Sequence, residues 1–349
     1  MALGPGDHDV RKLQATGGST FTLSLPKPWV INNQLEPRDS LRVDWRPSGA
    51  LRITPLDHAV NLEQQICFNF ELLPENSLHD HLMGAYISGA DFIQVSFDPK
   101  NKQALKHSVR RFLRSTRGFE IMEEGGTKVG LRCLLNAGDM PLHASLNRMY
   151  LQVTSLMRDI ITVFDGEDKA FISDAEERES EVDALLYLIE RQVRILLDSH
   201  LVATKLNLTR SQALEYANLA RCLERMMDHA FTITQHMTEY PVMIKEMSKT
   251  SLVECIPKWQ NSLKELMINI RTRDSVRIEE ARHHLKELQR TLLQYEHELL
   301  SSERSKKWMA QSLSFSESIR RLCAYSRDFG EILLNLKIST EMVRVHGKV

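Results

Sequence analysis

Leu223-Glu224-Arg225-Met226-Met227-Asp228-His229-Ala230 is the stretch from which the rest of the chain can be read. It lies in a run, residues 211–238, whose apolar positions Leu219, Leu223, Met226, Met227, Ala230, Ile233 and Met237 recur at helical spacing. Glu224 and Asp228 are four apart, so their carboxylates stack on one face, beside the apolar stripe rather than opposite it. Like charges at that spacing destabilise a bare helix by roughly 0.2–0.5 kcal/mol. The preceding helical run, 172–200, opens with a second pair at the same spacing, Glu179 and Asp183. Asp183 likewise flanks an apolar stripe of Val182, Leu185, Leu186, Ile189, Val193 and Leu196. Two such pairs on neighbouring helices can face each other and hold a hard or borderline cation among oxygen ligands. Two solvated acidic faces are the alternative.

Leu223 to Ala230 resembles the LERIGDHA signature of the phosphate-uptake regulators called PhoU, and Glu179-x-x-x-Asp183 resembles their other E/D-x-x-x-D motif. The resemblance runs across residues 142–340, where the order and spacing of the helices are also similar. It implies three-helix repeats that carry metal on these motifs, with Glu179, Asp183, Glu224 and Asp228 as the ligands here. The cation it implies is iron, zinc or magnesium. Its implied partners are phosphate-transporter or sensor-kinase signalling proteins.

The 349 residues suffice for two or three domains and a substantial core. A net charge of −1 argues for neither a nucleic-acid coat nor an acidic tail. The five cysteines, Cys67, Cys133, Cys222, Cys255 and Cys323, form no C-x-x-C and read as reduced packing residues of a cytoplasmic protein. Residues 1–9 read as a disordered tail and not as a signal peptide. No apolar run approaches the ~20 residues of a membrane span, so a soluble protein without membrane insertion is expected.

Residues 10–56 read as short strands, Phe21, Leu23 and Leu25 alternating with Thr20, Thr22 and Ser24, and Leu41, Val43 and Trp45 with polar neighbours. Gly17-Gly18 and Pro47-Ser48-Gly49 are turn signals, and Pro26 opens a short helical turn, Trp29 to Gln34. So short a β unit cannot close a core alone and calls for a partner. The order Ser24-Leu25-Pro26-Lys27-Pro28-Trp29-Val30, short helix, Leu35-x-Pro37-x-Asp39, strand, turn, strand resembles the AbrB/SpoVT domain. That resemblance implies a swapped-hairpin β-barrel made by two chains, hence a homodimer, and DNA as a partner. Basic residues outnumber acids here, and Arg11, Lys12 and Lys27 are the candidate phosphate contacts. Val30 and Ile31 stand where DNA-binding members tend to carry arginine, so a purely dimerising role stays open beside DNA binding.

Residues 60–136 read as a small α/β domain: strands at Ile66 to Leu72 and Phe92 to Phe97, helices at 76–89 and 100–116, and a hairpin from Phe119 to Leu135. His79 and His81 are two apart on a helical pattern and do not share a face. Lys106, Arg110, Arg111, Arg114 and Arg117 form a basic face, solvated or docking. Comparable insertions occur in archaeal-type PhoU-like chains with an N-terminal AbrB-like domain, an arrangement the whole chain resembles.

From Pro141 onward the pattern is helical. Residues 142–164, 172–200 and 211–238 form one three-helix set, and 251–272, 274–301 and 311–337 a second of similar lengths. Domains are therefore expected at 141–240 and 251–340, as two repeats of one six-helix bundle. The second repeat has Glu280 and His284 where the first has Glu179 and Asp183, and Arg320 and Ala324 where the first has Glu224 and Asp228. A cation facing Arg320 is electrostatically disfavoured, so metal is expected on the first repeat only, with Asp328 and Glu331 as the sole substitutes in the second.

The fold class expected is α+β multidomain, mainly α. The function expected is non-enzymatic: regulation of phosphate uptake and intracellular phosphate homeostasis by a metal-binding bundle joined to a dimerising module that also reaches DNA. A metal-free interaction scaffold is the first alternative. A di-iron carboxylate enzyme is the second, but such sites carry Glu-x-x-His, and Met227 and Val182 stand at that offset from Glu224 and Glu179.

Overall fold

A computed structural model of the chain describes residues 9–16, 18, 20–45, 50–56, 63–248 and 250–342. The expected tail, apart from Asp9, lies outside these residues, as do Gly17 of the first turn signal and Pro47-Ser48-Gly49. The chain forms two compact units, Met1–Glu63 and Gln64–Val349.

In the first unit, β1 (Gln14–Thr16) pairs antiparallel with β2 (Thr20–Thr22), and β3 (Leu41–Trp45) with β4 (Leu51–Pro55). The helical turn α1, Lys27–Asn32, starts after Pro26, whose fixed φ suits a helix entry. The expected strand through Leu25 stops at Thr22. Among the described residues the strands form two separate two-stranded ladders, and no closed barrel is seen. Alternation is obeyed but buries nothing: Phe21, Val43, Trp45 and Leu51 are all exposed, and no described residue of this unit is buried.

The second unit begins with a four-stranded sheet of β5 (Gln65–Asn69), β6 (Phe92–Ser96), β7 (Phe119–Glu124) and β8 (Lys128–Cys133), in the order β5-β6-β8-β7. β5 and β6 run parallel, joined through α2 (Leu78–Ile87), and the other pairs are antiparallel. Ile93, Val95, Val129 and Leu131 are buried with Leu82 and Tyr86 of α2 and with Val109 and Phe112 of α3 (Lys102–Ser115). The expected strand from Ile66 to Leu72 ends at Asn69, whose side chain caps a 3-10 turn over Phe70–Leu72.

Helices α4 (Leu142–Phe164), α5 (Ala175–Asp198), α7 (Arg210–Glu239), α9 (Ser251–Thr272), α10 (Ser275–Leu300) and α11 (Lys306–Glu341) then share one core. Two short helices, α6 (His200–Leu206) and α8 (Pro241–Met247), fall in stretches the periodicity left as connections. The third helices of the two sets, α7 and α11, pack on each other, and α4 packs on α9, so the sets close into one bundle. Trp259 sits fully buried in that bundle, its indole N–H donating to Ser326 Oγ at 2.8 Å and to the Leu322 carbonyl at 3.2 Å.

Helix α5 also holds the sheet region. Arg191, 3% exposed, donates from Nη1 to the carbonyls of Tyr86 (2.9 Å) and Ala90 (2.8 Å) and from Nη2 to Asp91 (3.2 Å). Its guanidinium lies over the rings of Tyr86 and Phe119. Next to it, Gln192 donates to the carbonyls of Ala137 and Met140 in the connection between sheet and bundle.

Candidate metal centre

The acid pairs are placed by two helices with different starts. α5 begins after Asp174 with Glu176 and Glu177 in its first turn, where carboxylates complement the helix dipole. α7 begins with a capping box, the Thr209 hydroxyl and the Gln212 side chain each bonded to the other's backbone N–H. Burying Val182, Leu185, Leu186 and Ile189 of α5 against Leu219, Leu223, Met226 and Met227 of α7 fixes the rotation of both. The beginning of α5 thereby meets the later half of α7.

There Glu179, Asp183 and Asp228 each offer a carboxylate oxygen within 4.8 Å of the others. Among the described residues this is the one such grouping of three or more acidic, histidine or cysteine side chains. Glu224 lies outside the grouping but close by, where the charges of Asp228 and Asp183 act on its carboxyl. All four candidates titrate above their ordinary range. Asp183 is pushed up to about 7, by burial first and then by Glu179 and Asp228. Glu224 also reaches about 7, through burial, then Asp228 and Asp183. Burial and Asp228 raise Glu179, and burial raises Asp228 against the pull of His229 and Arg225.

Among the described residues none of these carboxylates has an ion-pair partner. Arg221, beside Glu224, pairs with Glu190, and Arg225 lies over the Tyr325 ring, which also stacks on His229. Partly buried to exposed acids left facing one another without a cation repel, most where burial is greatest. Three oxygen donors in such a patch suit a hard cation, and no nitrogen or sulfur donor stands among them to favour zinc.

Tyr187 belongs to the same patch and was missed by the acid motif alone. It follows Asp183 by one turn, and burial, Asp183 and Glu224 push its hydroxyl up to about 12. The signal was present as a four-residue beat along α5: Glu179, Asp183, Tyr187, Arg191.

The second repeat is built differently. Glu280 and His284 are exposed and line a cleft of about 670 Å³ with Lys258, Arg277 and Glu287. Arg320 pairs with Glu317 and, at 3.4 Å, with Glu296, so a guanidinium stands where the first repeat has a carboxylate. Glu331 pairs with Arg282 at 3.7 Å, and Asp328 joins no cluster among the described residues. His81 bonds its own helix at the Ser77 carbonyl, and His79 neighbours Asp80, so the two share no ligand geometry. On the basic face of α3, Lys106 pairs with Glu124 across to β7.

In the first unit Arg11 and Lys12 lie in the segment before β1, Arg11 paired with Asp9 at 3.2 Å, and Lys27 opens α1. Ile31, on the same helical turn, is exposed.

No helix among the described residues is long and apolar enough to cross a membrane. No curated protein matches the chain. A PhoU domain is found at residues 146–237, the span from α4 to α7 that contains Glu179, Asp183, Glu224 and Asp228.

Proposed function

We propose that the protein is a non-enzymatic regulator of phosphate uptake whose first helical repeat binds a metal cation. The observation that carries this reading is the convergence of Glu179, Asp183 and Asp228, unpaired and half-buried to exposed, inside the matched PhoU domain. Glu224 completes the ligand set from beside it. A bound cation would neutralise the mutual repulsion of these carboxylates and cross-link α5 to α7. The all-oxygen donor set favours iron or magnesium over zinc. Signalling proteins of phosphate transport are the partners, met on the bundle surface. The first unit dimerises the chain, and its exposed apolar side chains, Phe21, Val43, Trp45 and Leu51 among them, support that role. Arg11, Lys12 and Lys27 supply DNA contact that is weak and of low specificity, since Val30 and Ile31 cannot hydrogen-bond a base edge. The cytoplasm is the compartment that fits five free cysteines.

The test is elemental analysis of the purified full chain beside its native mass. At least one equivalent of metal in the wild type, lost in Asp183→Ala/Asp228→Ala with helix content kept, supports the reading. Metal content unchanged by that double substitution would refute the site, and a metal-free wild type after growth with added iron or magnesium would favour an interaction scaffold.

A further inference from the structure

At the end of the bundle away from the acid cluster, three connections meet: the entry to α4, the turn between α6 and α7, and the turn between α9 and α10. They line a cleft of about 820 Å³, within the range of small-molecule sites. Its charged lining is lopsided. Lys205, Arg271 and Arg273 stand against the single carboxylate of Asp139, and His143 adds a titratable ring. Lys205 pairs with Asp139. The arginines have no carboxylate partner among the described residues, and the Arg273 guanidinium donates to the Thr340 hydroxyl at 3.3 Å.

The backbone around Arg273 is informative. It ends α9 in the left-handed region at φ +52, where glycine or asparagine is the usual choice. Asn207 follows that habit at the end of α6, with φ +53. An arginine in this region is strained relative to glycine, whose missing Cβ removes the clash. Arg271 and Arg273 also complement the C-terminal end of the α9 dipole, but that role needs one cation and leaves the strain unexplained.

Two more features point into the cleft. Tyr216 is 8% exposed and lines it, yet its hydroxyl makes no hydrogen bond among the described residues. Arg273 and Arg271 lie near enough to that hydroxyl to oppose the rise in its pKa that burial causes. The first turn of α4 also opens here, its N-cap position held by Pro141, which supplies no side-chain cap to the free N–H groups. A tyrosine hydroxyl at the cleft wall, two guanidinium groups without a carboxylate partner among the described residues and an uncapped helix start make one acceptor-seeking surface.

We propose that this cleft binds a phosphoryl group through Arg271, Arg273 and Tyr216, with Lys205 and His143 at its rim. The phosphoryl group belongs either to inorganic phosphate or to a nucleotide, for which the volume has room. The site shares no residue with the acid cluster and stands whether or not that cluster holds metal.

The experiment is calorimetric titration of the full chain with inorganic phosphate, with sulfate at matched ionic strength, and with ATP, each repeated on chelator-treated protein. Saturable binding of phosphate or ATP is expected, weakened at least tenfold in Arg271→Gln/Arg273→Gln and about fivefold in Tyr216→Phe. Tyr216→Phe keeps the packed ring, so it reads the hydroxyl even if the double variant is poorly folded. Phosphate binding identifies the free anion as the ligand, and ATP binding alone identifies the nucleotide. Binding of neither, binding equal for sulfate and phosphate at every ionic strength, or binding indifferent to both variants would overturn the proposal.

Discussion

Asp183 is the residue on which the electrostatics of the bundle turn. Its carboxyl titrates near 7 in the folded chain against about 4 when unfolded. Between those values the folded state holds a proton that the unfolded state has released, so stability falls as pH rises through the window. Below about 4 both states are protonated and the penalty is absent; above 7 it is complete. Glu224 behaves alike. One pKa unit corresponds to about 1.4 kcal/mol, but both side chains are partly open to water, which screens the effect. In chelator-treated protein, we therefore expect the melting temperature to drop between pH 5 and pH 7.5, and Asp183→Asn/Glu224→Gln to flatten the drop; a parallel slope in the variant would contradict this account. Arg191 is the opposite case, a buried cation whose partners are all in place. Arg191→Ala leaves the Ala90 carbonyl unsatisfied and the Tyr86 carbonyl with backbone N–H donors only, and should cost about 2 kcal/mol. Hydrogen exchange would locate the loss at Tyr86 to Asp91, and protection unchanged there would contradict the assignment.

At the scale of the element, α5 ties these effects together: one face carries Glu179, Asp183, Tyr187 and Arg191 in successive turns, from the acid cluster to the sheet region. The apolar periodicity of 172–200 and 211–238 made both helices legible, because each buries a continuous stripe, and the i, i+4 acid pairs followed from helix geometry. That Glu224 stands outside the tight grouping was not legible, since one turn along a helix decides it and spacing alone leaves both members equivalent. Arg191 was hidden for a different reason. A cation in an apolar stripe reads as surface until its carbonyl partners, about a hundred residues earlier in sequence, are known. The short helices α6 and α8 went unread because seven residues hold too few turns to display a period. The start of α7 is the clearest local signal, Thr209-x-x-Gln212. Thr209→Ala removes that cap and should cost about 1 kcal/mol, seen as faster exchange of the Gln212 and Ala213 amides; unaltered exchange would mean the helix start is held by packing alone.

The whole molecule combines two units of unlike self-sufficiency. Residues Gln64–Val349 enclose two buried cores of their own, one in the sheet region and one running through all six long helices. The first unit encloses none: its strands alternate correctly, yet Phe21, Trp45 and Leu51 remain more than half exposed. Two-stranded ladders are marginal in water by themselves, and apolar side chains presented on them call for a covering surface. A second copy of the same unit offers that surface with matching alternation, which is the basis for expecting a dimer through residues 10–56. Deleting residues 1–63 should then give a monomer that keeps the helix content and the metal content of the full chain, because every proposed ligand lies between Glu179 and Asp228. Sedimentation of the two proteins at equal concentration is the measurement. A dimer that survives the deletion would place the contact on the helices. A truncated monomer that has lost its metal would show instead that the acid cluster depends on pairing, and that the two units are coupled.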